Sequence, residues 1–157
     1  MKKNRRILLF MAVLLLLASA SPLFSQEGDI VGAGIILGEP TGISAKVWFE
    51  KGLAADAAVA WSFLGDSSLY VHGNFLYHFK VLNTGADNFI TPYVSARAAF
   101  RFEDYLNVGL RVPVGVSWLL NAAPVEVFAE IAPGVGLVPE TDLELGVGLG
   151  ARFYFPL

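Results

Sequence analysis

Beyond Ser25 apolar and polar residues alternate along most of the chain, and no apolar stretch there is long enough for a spanning helix. Read in steps of two, the pattern resolves into about eight runs of roughly 8 to 13 residues separated by turn residues. The first run, near Ile30 to Leu37, closes on Gly38-Glu39-Pro40-Thr41-Gly42. The second sets Ile43, Ala45, Val47 and Phe49 against Ser44, Lys46 and Trp48. Glu50-Lys51-Gly52 then has the form of a type I turn followed by a left-handed residue and a bulge. That spacing pairs Phe49 with Leu53 and puts Lys46 opposite Asp56. The third run carries Ala57, Val59, Trp61 and Phe63 on its apolar face. The fourth sets Leu69, Val71, Phe75, Tyr77 and Phe79 against Tyr70, His72, Asn74 and His78. The fifth sets Ile90, Val94, Ala96, Ala98, Phe100 and Phe102 against Tyr93, Ser95, Arg97 and Arg101. The sixth runs from Leu106 to Trp118 with Pro113 in its middle, where a missing ladder donor predicts a bulge or local break. The seventh alternates from Val125 to Ile131, and the last from Leu143 to Phe155. The stretch Ala132 to Pro139 is too apolar for an ordinary surface loop and has no assignment.

Alternation alone leaves open which face is wet, because a soluble barrel with an apolar interior alternates equally well. Charge decides it. The charged positions inside strands are Lys46, Asp56, Arg97, Arg101, Arg111, Glu126, Glu130, Glu144 and Arg152, and all share the parity of the small and polar residues. Five bases against four acids suggests mutual pairing. The excess acid falls in turns, at Glu39, Glu50, Asp66, Asp87, Glu103, Asp104, Glu140 and Asp142. Aromatic residues of the apolar face gather near strand ends, as with Phe49, Phe63, Phe79, Phe100, Phe102, Trp118, Phe153 and Phe155, which is where membrane interfaces lie. The expected fold is an all-β, eight-stranded, antiparallel, up-and-down transmembrane β-barrel with lipid outside and the charged set in the lumen.

The first 25 residues read differently. Lys2, Lys3, Arg5 and Arg6 precede an apolar run from Ile7 to Ala18, and the segment ends among small residues. The run is short for a membrane helix, so residues 1–25 are expected to be a cleaved signal peptide, cut after Ala20 or after Ser25, with 26–157 as the barrel domain. Its removal takes four bases from eleven and leaves seven against fourteen acids, a net charge of −7 that disfavours nucleic acid as a partner. The absence of cysteine excludes a lipid-bearing cysteine, a disulfide framework and a thiolate metal site.

The mature segment resembles a family of small outer-membrane β-barrel proteins of unknown function, of the spirochaete and Bacteroidetes type. The likeness is carried by Gly38-Glu39-Pro40-Thr41-Gly42-Ile43-Ser44-Ala45-Lys46-Val47-Trp48, by Arg111-Val112-Pro113-Val114-Gly115, by 124–133 and by Gly148-Leu149-Gly150-Ala151-Arg152-Phe153-Tyr154-Phe155. It implies the fold, an outer-membrane location and a place for Pro113 in the pattern; it implies no activity.

For function, the nine lumen charges are the candidate set. An eight-stranded barrel has an interior just wide enough for side chains to fill, so a salt-bridge plug is expected, with Lys46 paired to Asp56 and with Arg97 and Arg111 drawing on Glu126 and Glu130. A narrow pore for ions or small solutes is the runner-up. Surface adhesion is disfavoured by short connections, the longest being Lys80 to Asn88. His72 and His78 share a face, but six residues of strand separates them by roughly 20 Å, too far for one metal ion. Asp56, His72 and Ser95 fall on neighbouring runs, yet no motif supports a hydrolase or lipid-modifying enzyme. No catalytic residue, metal or cofactor is expected. The expected partners are outer-membrane lipid and, during biogenesis, the barrel-assembly machinery and periplasmic chaperones, with the chain monomeric.

Overall fold

The computed structural model describes residues 30–38, 41–50, 52–62, 68–80, 82–83, 89–120 and 123–156. The expected signal peptide lies outside the described residues, as does Phe63. Ten strands form one antiparallel sheet: β1 (Ile30–Leu37), β2 (Thr41–Glu50), β3 (Leu53–Ser62), β4 (Ser68–His78), β5 (Leu82–Asn83), β6 (Phe89–Phe102), β7 (Leu106–Arg111), β8 (Val114–Leu120), β9 (Val125–Val138) and β10 (Asp142–Pro156). Strand follows neighbouring strand from β1 onward, and pairing of β10 with β1 closes the sheet into a ring through eight strands. The two further segments have simple origins. The short β5 pairs only with the start of β6, and β7 and β8 both lie between β6 and β9, separated by Val112-Pro113.

Pro113 interrupts the ladder without shifting it. Arg97 pairs with Arg111 and Val94 with Val114 in one continuous register, and the register against β9 is likewise kept from Arg111↔Gly134 to Val114↔Ile131. The proline lacks an N–H, but its carbonyl accepts from the Ser95 amide at 2.8 Å, so only one rung is lost. Ala132 to Pro139, unassigned by pattern, is mostly β9 itself, which continues through Pro133 to Val138. In the β2–β3 hairpin Glu50, rather than Phe49, pairs with Leu53. The irregularity falls between Trp48 and Glu50, and Gly52 takes φ +89°, so Lys46 still stands opposite Asp56.

The stagger of the ring sets the width of its interior. A circuit of the wall from Ala33 passes Ala45, Ala57, Gly73, Ala98, Leu110 and Val135 and arrives at Leu143, ten residues short of Phe153, the residue that Ala33 itself pairs. Such stagger requires strongly tilted strands and leaves a lumen that side chains can fill. The walls approach closely at β1: a Cβ on Gly34 would lie 1.9 Å from the Ala151 carbonyl oxygen. Gly34→Ala is therefore expected to destabilise the barrel by about 1–3 kcal/mol, read as a lower urea midpoint of the refolded protein; an unchanged midpoint would contradict this packing.

Burial in this barrel is inverted relative to a water-soluble one. The inward positions include Lys46, Asp56, His72, Asn74, Arg97, Glu126, Glu130 and Arg152, all buried, beside Leu76, Tyr93, Phe128 and Tyr154. The outward positions carry Ile35, Ile43, Phe75, Leu110, Val116, Ile131 and Leu149, each about half exposed, and many other large apolar side chains, Leu143 and Leu145 among them more exposed still. Among the described residues the outward positions within strands are uncharged except Glu50, which pairs with Leu53 where β2 turns into β3.

Candidate functional site

The lumen can be followed from the end where β1 starts and β10 finishes, the termini end, toward the opposite, far end. Alternation on β4 places His78 near the termini end, Asn74 at mid-height, and His72 and Tyr70 in the far half. Near the termini end the buried Lys46, only 1% exposed, extends its ammonium to Glu126, with Nζ to Oε1 2.8 Å. The same ammonium reaches His78 Nε2 at 3.0 Å and lies 4.4 Å from the centre of the Trp48 ring. Because an ammonium only donates, His78 accepts on Nε2. Glu126 also accepts from the Tyr154 hydroxyl, which itself accepts from Trp48 Nε1 at 3.2 Å.

At mid-height Arg152 holds three groups together. Its Nη2 is 2.8 Å from Asp56 Oδ2, its Nε donates to the Ser44 hydroxyl at 3.1 Å, and its Nη1 is 3.7 Å from Glu126. Its guanidinium stacks 4.0 Å from the centre of the Phe128 ring. Asn74 bridges sideways, donating to Asp56 at 2.5 Å and accepting from Arg97 Nε at 2.6 Å. Arg97 in turn pairs with Glu130, whose other oxygen accepts from Tyr93 at 2.9 Å. Toward the far end Arg111 holds Glu144 through Nη2 at 2.6 Å and Nε at 3.1 Å.

Eight of the nine lumen charges thus form four pairs of opposite sign that bridge strands which are not neighbours in the wall. The expected Lys46–Asp56 pair does not form. Their Cα positions face each other as expected, but both side chains project into a narrow lumen and meet the opposite wall, Lys46 at Glu126 and Asp56 at Arg152. Arg97 and Arg111 are cross-strand neighbours, with Glu130 serving Arg97, whereas Glu144 rather than Glu126 serves Arg111. Arg101 stands apart: it is 35% exposed and lies 4.0 Å from Glu103 of the following turn.

Several members of the network carry no charge. Tyr93, Tyr154, Asn74, Ser44 and Trp48 supply donors and acceptors that let buried carboxylates and guanidiniums satisfy more than one site each. Their signal in the sequence is parity, since they occupy the inward positions of their strands. Asp56, His72 and Ser95 are not assembled for catalysis. Asp56 is held by Arg152 and Asn74, and among the described residues the ring nitrogens of His72 and the hydroxyl of Ser95 have no hydrogen-bond partner. Since His72 pairs with Ala99, Ser95 lies four residues further along β6, roughly 13 Å away. Among the described residues no group of His, Asp and Glu could hold a metal ion.

No sequence profile of a protein family matches the chain, and no curated protein matches it. Among solved structures, that of Neisserial surface protein A is similar at 14% identity and a TM-score of 0.37, over 81% of this chain and 95% of that one.

Proposed function

We propose that this chain is an integral outer-membrane β-barrel of eight wall strands, delivered by a cleaved signal peptide, which serves a structural role in the envelope with its lumen closed by its own side chains. The observation that carries this reading is the inverted burial. A water-soluble protein does not cover its outside in a continuous apolar surface while sequestering four ion pairs, because the surface would aggregate and the charges would be better solvated outside. In lipid both features are favourable. The outward face finds an apolar medium, and the closed ring leaves no unpaired sheet edge along most of the wall.

Strand lengths and aromatic positions fit the same surroundings. Most wall strands match or exceed the 9 to 11 residues that a tilted strand needs to cross a bilayer. Apart from Phe75 at mid-height, the outward aromatic rings form two bands, with Tyr77, Phe79, Trp118, Phe153 and Phe155 toward the termini end and Trp61, Phe100, Phe102 and Tyr105 toward the far end. A structural role is favoured over conduction because Arg152, Asp56, Asn74, Arg97 and Glu130 form a bonded layer across mid-height.

Planar bilayers test this. The purified, refolded protein is expected to insert and remain silent, whereas Arg152→Ala, which removes the link between Asp56, Ser44 and Glu126, is expected to leak. Discrete conductance steps in the unmodified protein would replace the closed barrel with a narrow pore. Failure to enter lipid at all would remove the membrane reading.

A further inference from the structure

Beyond the bonded layer, in the far half of the lumen, lies a cavity of about 40 Å³ bordered by Tyr70, His72, Arg97, Arg111, Glu130, Gly146 and Gly148. That is room for about three waters, or for the carbon and two oxygens of a carboxylate. We propose that this cavity is a binding site for a small anion of carboxylate size. The site depends on the closed wall and not on the medium around it, so it stands apart from the envelope role.

Three buried polar atoms at this cavity have no partner among the described residues: both ring nitrogens of His72 and the hydroxyl of Tyr70, on side chains each 4% exposed. Buried polar groups in folded proteins are nearly always bonded, so a histidine with two unmatched nitrogens in the lining of a cavity points to a ligand. What surrounds them is rich in donors. Arg111 commits Nε and Nη2 to Glu144 and turns Nη1 over Gly146, where a Cβ would stand only 2.7 Å from it. Arg97 adds a second guanidinium to the lining, and Arg101 and Arg111 lie 5.9 and 5.6 Å from the centre of the Tyr70 ring. The one carboxylate in the lining, Glu130, already has its oxygens bonded by Arg97 and Tyr93. A histidine N–H, a phenol O–H and guanidinium edges around a space of three heavy atoms suit a carboxylate, which accepts at both oxygens.

Two approaches fit its place in the fold. One is the far mouth of the barrel. The other is the seam where β1 ends: Leu37 pairs with Leu149, so Asp142 to Gly148 of β10 have no β1 partner, and Ile36 and Val147 of this seam border the cavity. The first route admits a small soluble acid and the second the head of a fatty acid; the chemistry bound is the same.

The test uses the full chain refolded in a non-ionic detergent, with isotope-labelled histidine followed by nuclear magnetic resonance. Sodium formate is titrated in one arm and a long-chain fatty acid in another. His72 is expected to shift saturably while His78, whose Nε2 is bonded to Lys46, stays in place. In Arg111→Gln the affinity is expected to fall about tenfold or more. Native gel mobility of that variant shows that the barrel is intact. Saturation at lower fatty acid than formate concentration supports the seam as the source, and the reverse supports the mouth. If neither acid moves His72, if His78 moves equally, or if intact Arg111→Gln responds as the unmodified protein does, the site does not exist.

Discussion

Replacing Glu126 with leucine is expected to destabilise the barrel by about 3–5 kcal/mol, the usual cost of leaving a buried charge without its partner. Glu126 receives the Lys46 ammonium, the Tyr154 hydroxyl and, at longer range, Arg152, and all of these groups are buried. Removing the carboxylate leaves the buried Lys46 ammonium without its counter-charge, bonded among the described residues only to His78 Nε2. The second half of the prediction is the reversal. Adding Lys46→Met removes the stranded charge with a side chain of similar reach, and at least about 2 kcal/mol of the loss is expected to return. Urea unfolding of the refolded protein measures both. Purely additive effects would mean that the two side chains do not meet. A parallel cycle separates this pairing from the one that strand register suggests, since Lys46→Met is expected to give no such rescue of Asp56→Asn, whose base is Arg152.

That contrast marks the boundary between what the chain's pattern reveals and what it hides. Parity is local: Lys46 and Asp56, or Arg97 and Arg111, can be placed inward and opposite each other from a hairpin and a period of two. Which charge meets which across the lumen depends on the ten-residue stagger, and that is fixed only where β1 meets β10, 112 residues and more apart in sequence. No turn motif encodes that closure. Long side chains then reach past their nearest wall neighbours, so Lys46 finds Glu126 on β9 and Arg152 finds Asp56 on β3.

The Ala132 to Pro139 stretch was opaque for a different reason. It obeys the alternation, with Ala132, Gly134 and Gly136 inward and Pro133, Val135 and Leu137 outward. Its inward residues, however, are small and uncharged, so nothing announces a wet face. Those small residues have a physical cause: a Cβ on Gly134 would lie 2.4 Å from Arg111 Cγ, and one on Gly136 would meet Asp142. Pro133 is tolerated because its carbonyl still accepts from Val112 at 2.8 Å. The His72 cavity is hidden in the same way. Inward histidine and tyrosine are visible in the pattern, but the space before them exists because Gly146 and Gly148 have no side chains on the facing wall.

The outward face makes the membrane reading quantitative. Ile131 sits midway along β9, 56% exposed, between Val114 and Val147. If lipid surrounds it, Ile131→Arg is expected to cost about 2–4 kcal/mol in bilayer vesicles, because a guanidinium at mid-depth must be desolvated or drag water and headgroups inward. Tyr105, 75% exposed in the turn between β6 and β7, lies beyond the apolar band, and Tyr105→Arg is expected to cost no more than about 1 kcal/mol. In water neither position touches enough to matter, and both changes should fall within about 0.5 kcal/mol. Reversible unfolding from vesicles, compared between the two variants, therefore reads depth directly. A large, depth-graded penalty requires a hydrocarbon layer around the wall. Equal, small effects would mean that these apolar side chains face another protein surface or water, and the four lumen ion pairs would then need a cause other than exclusion from lipid.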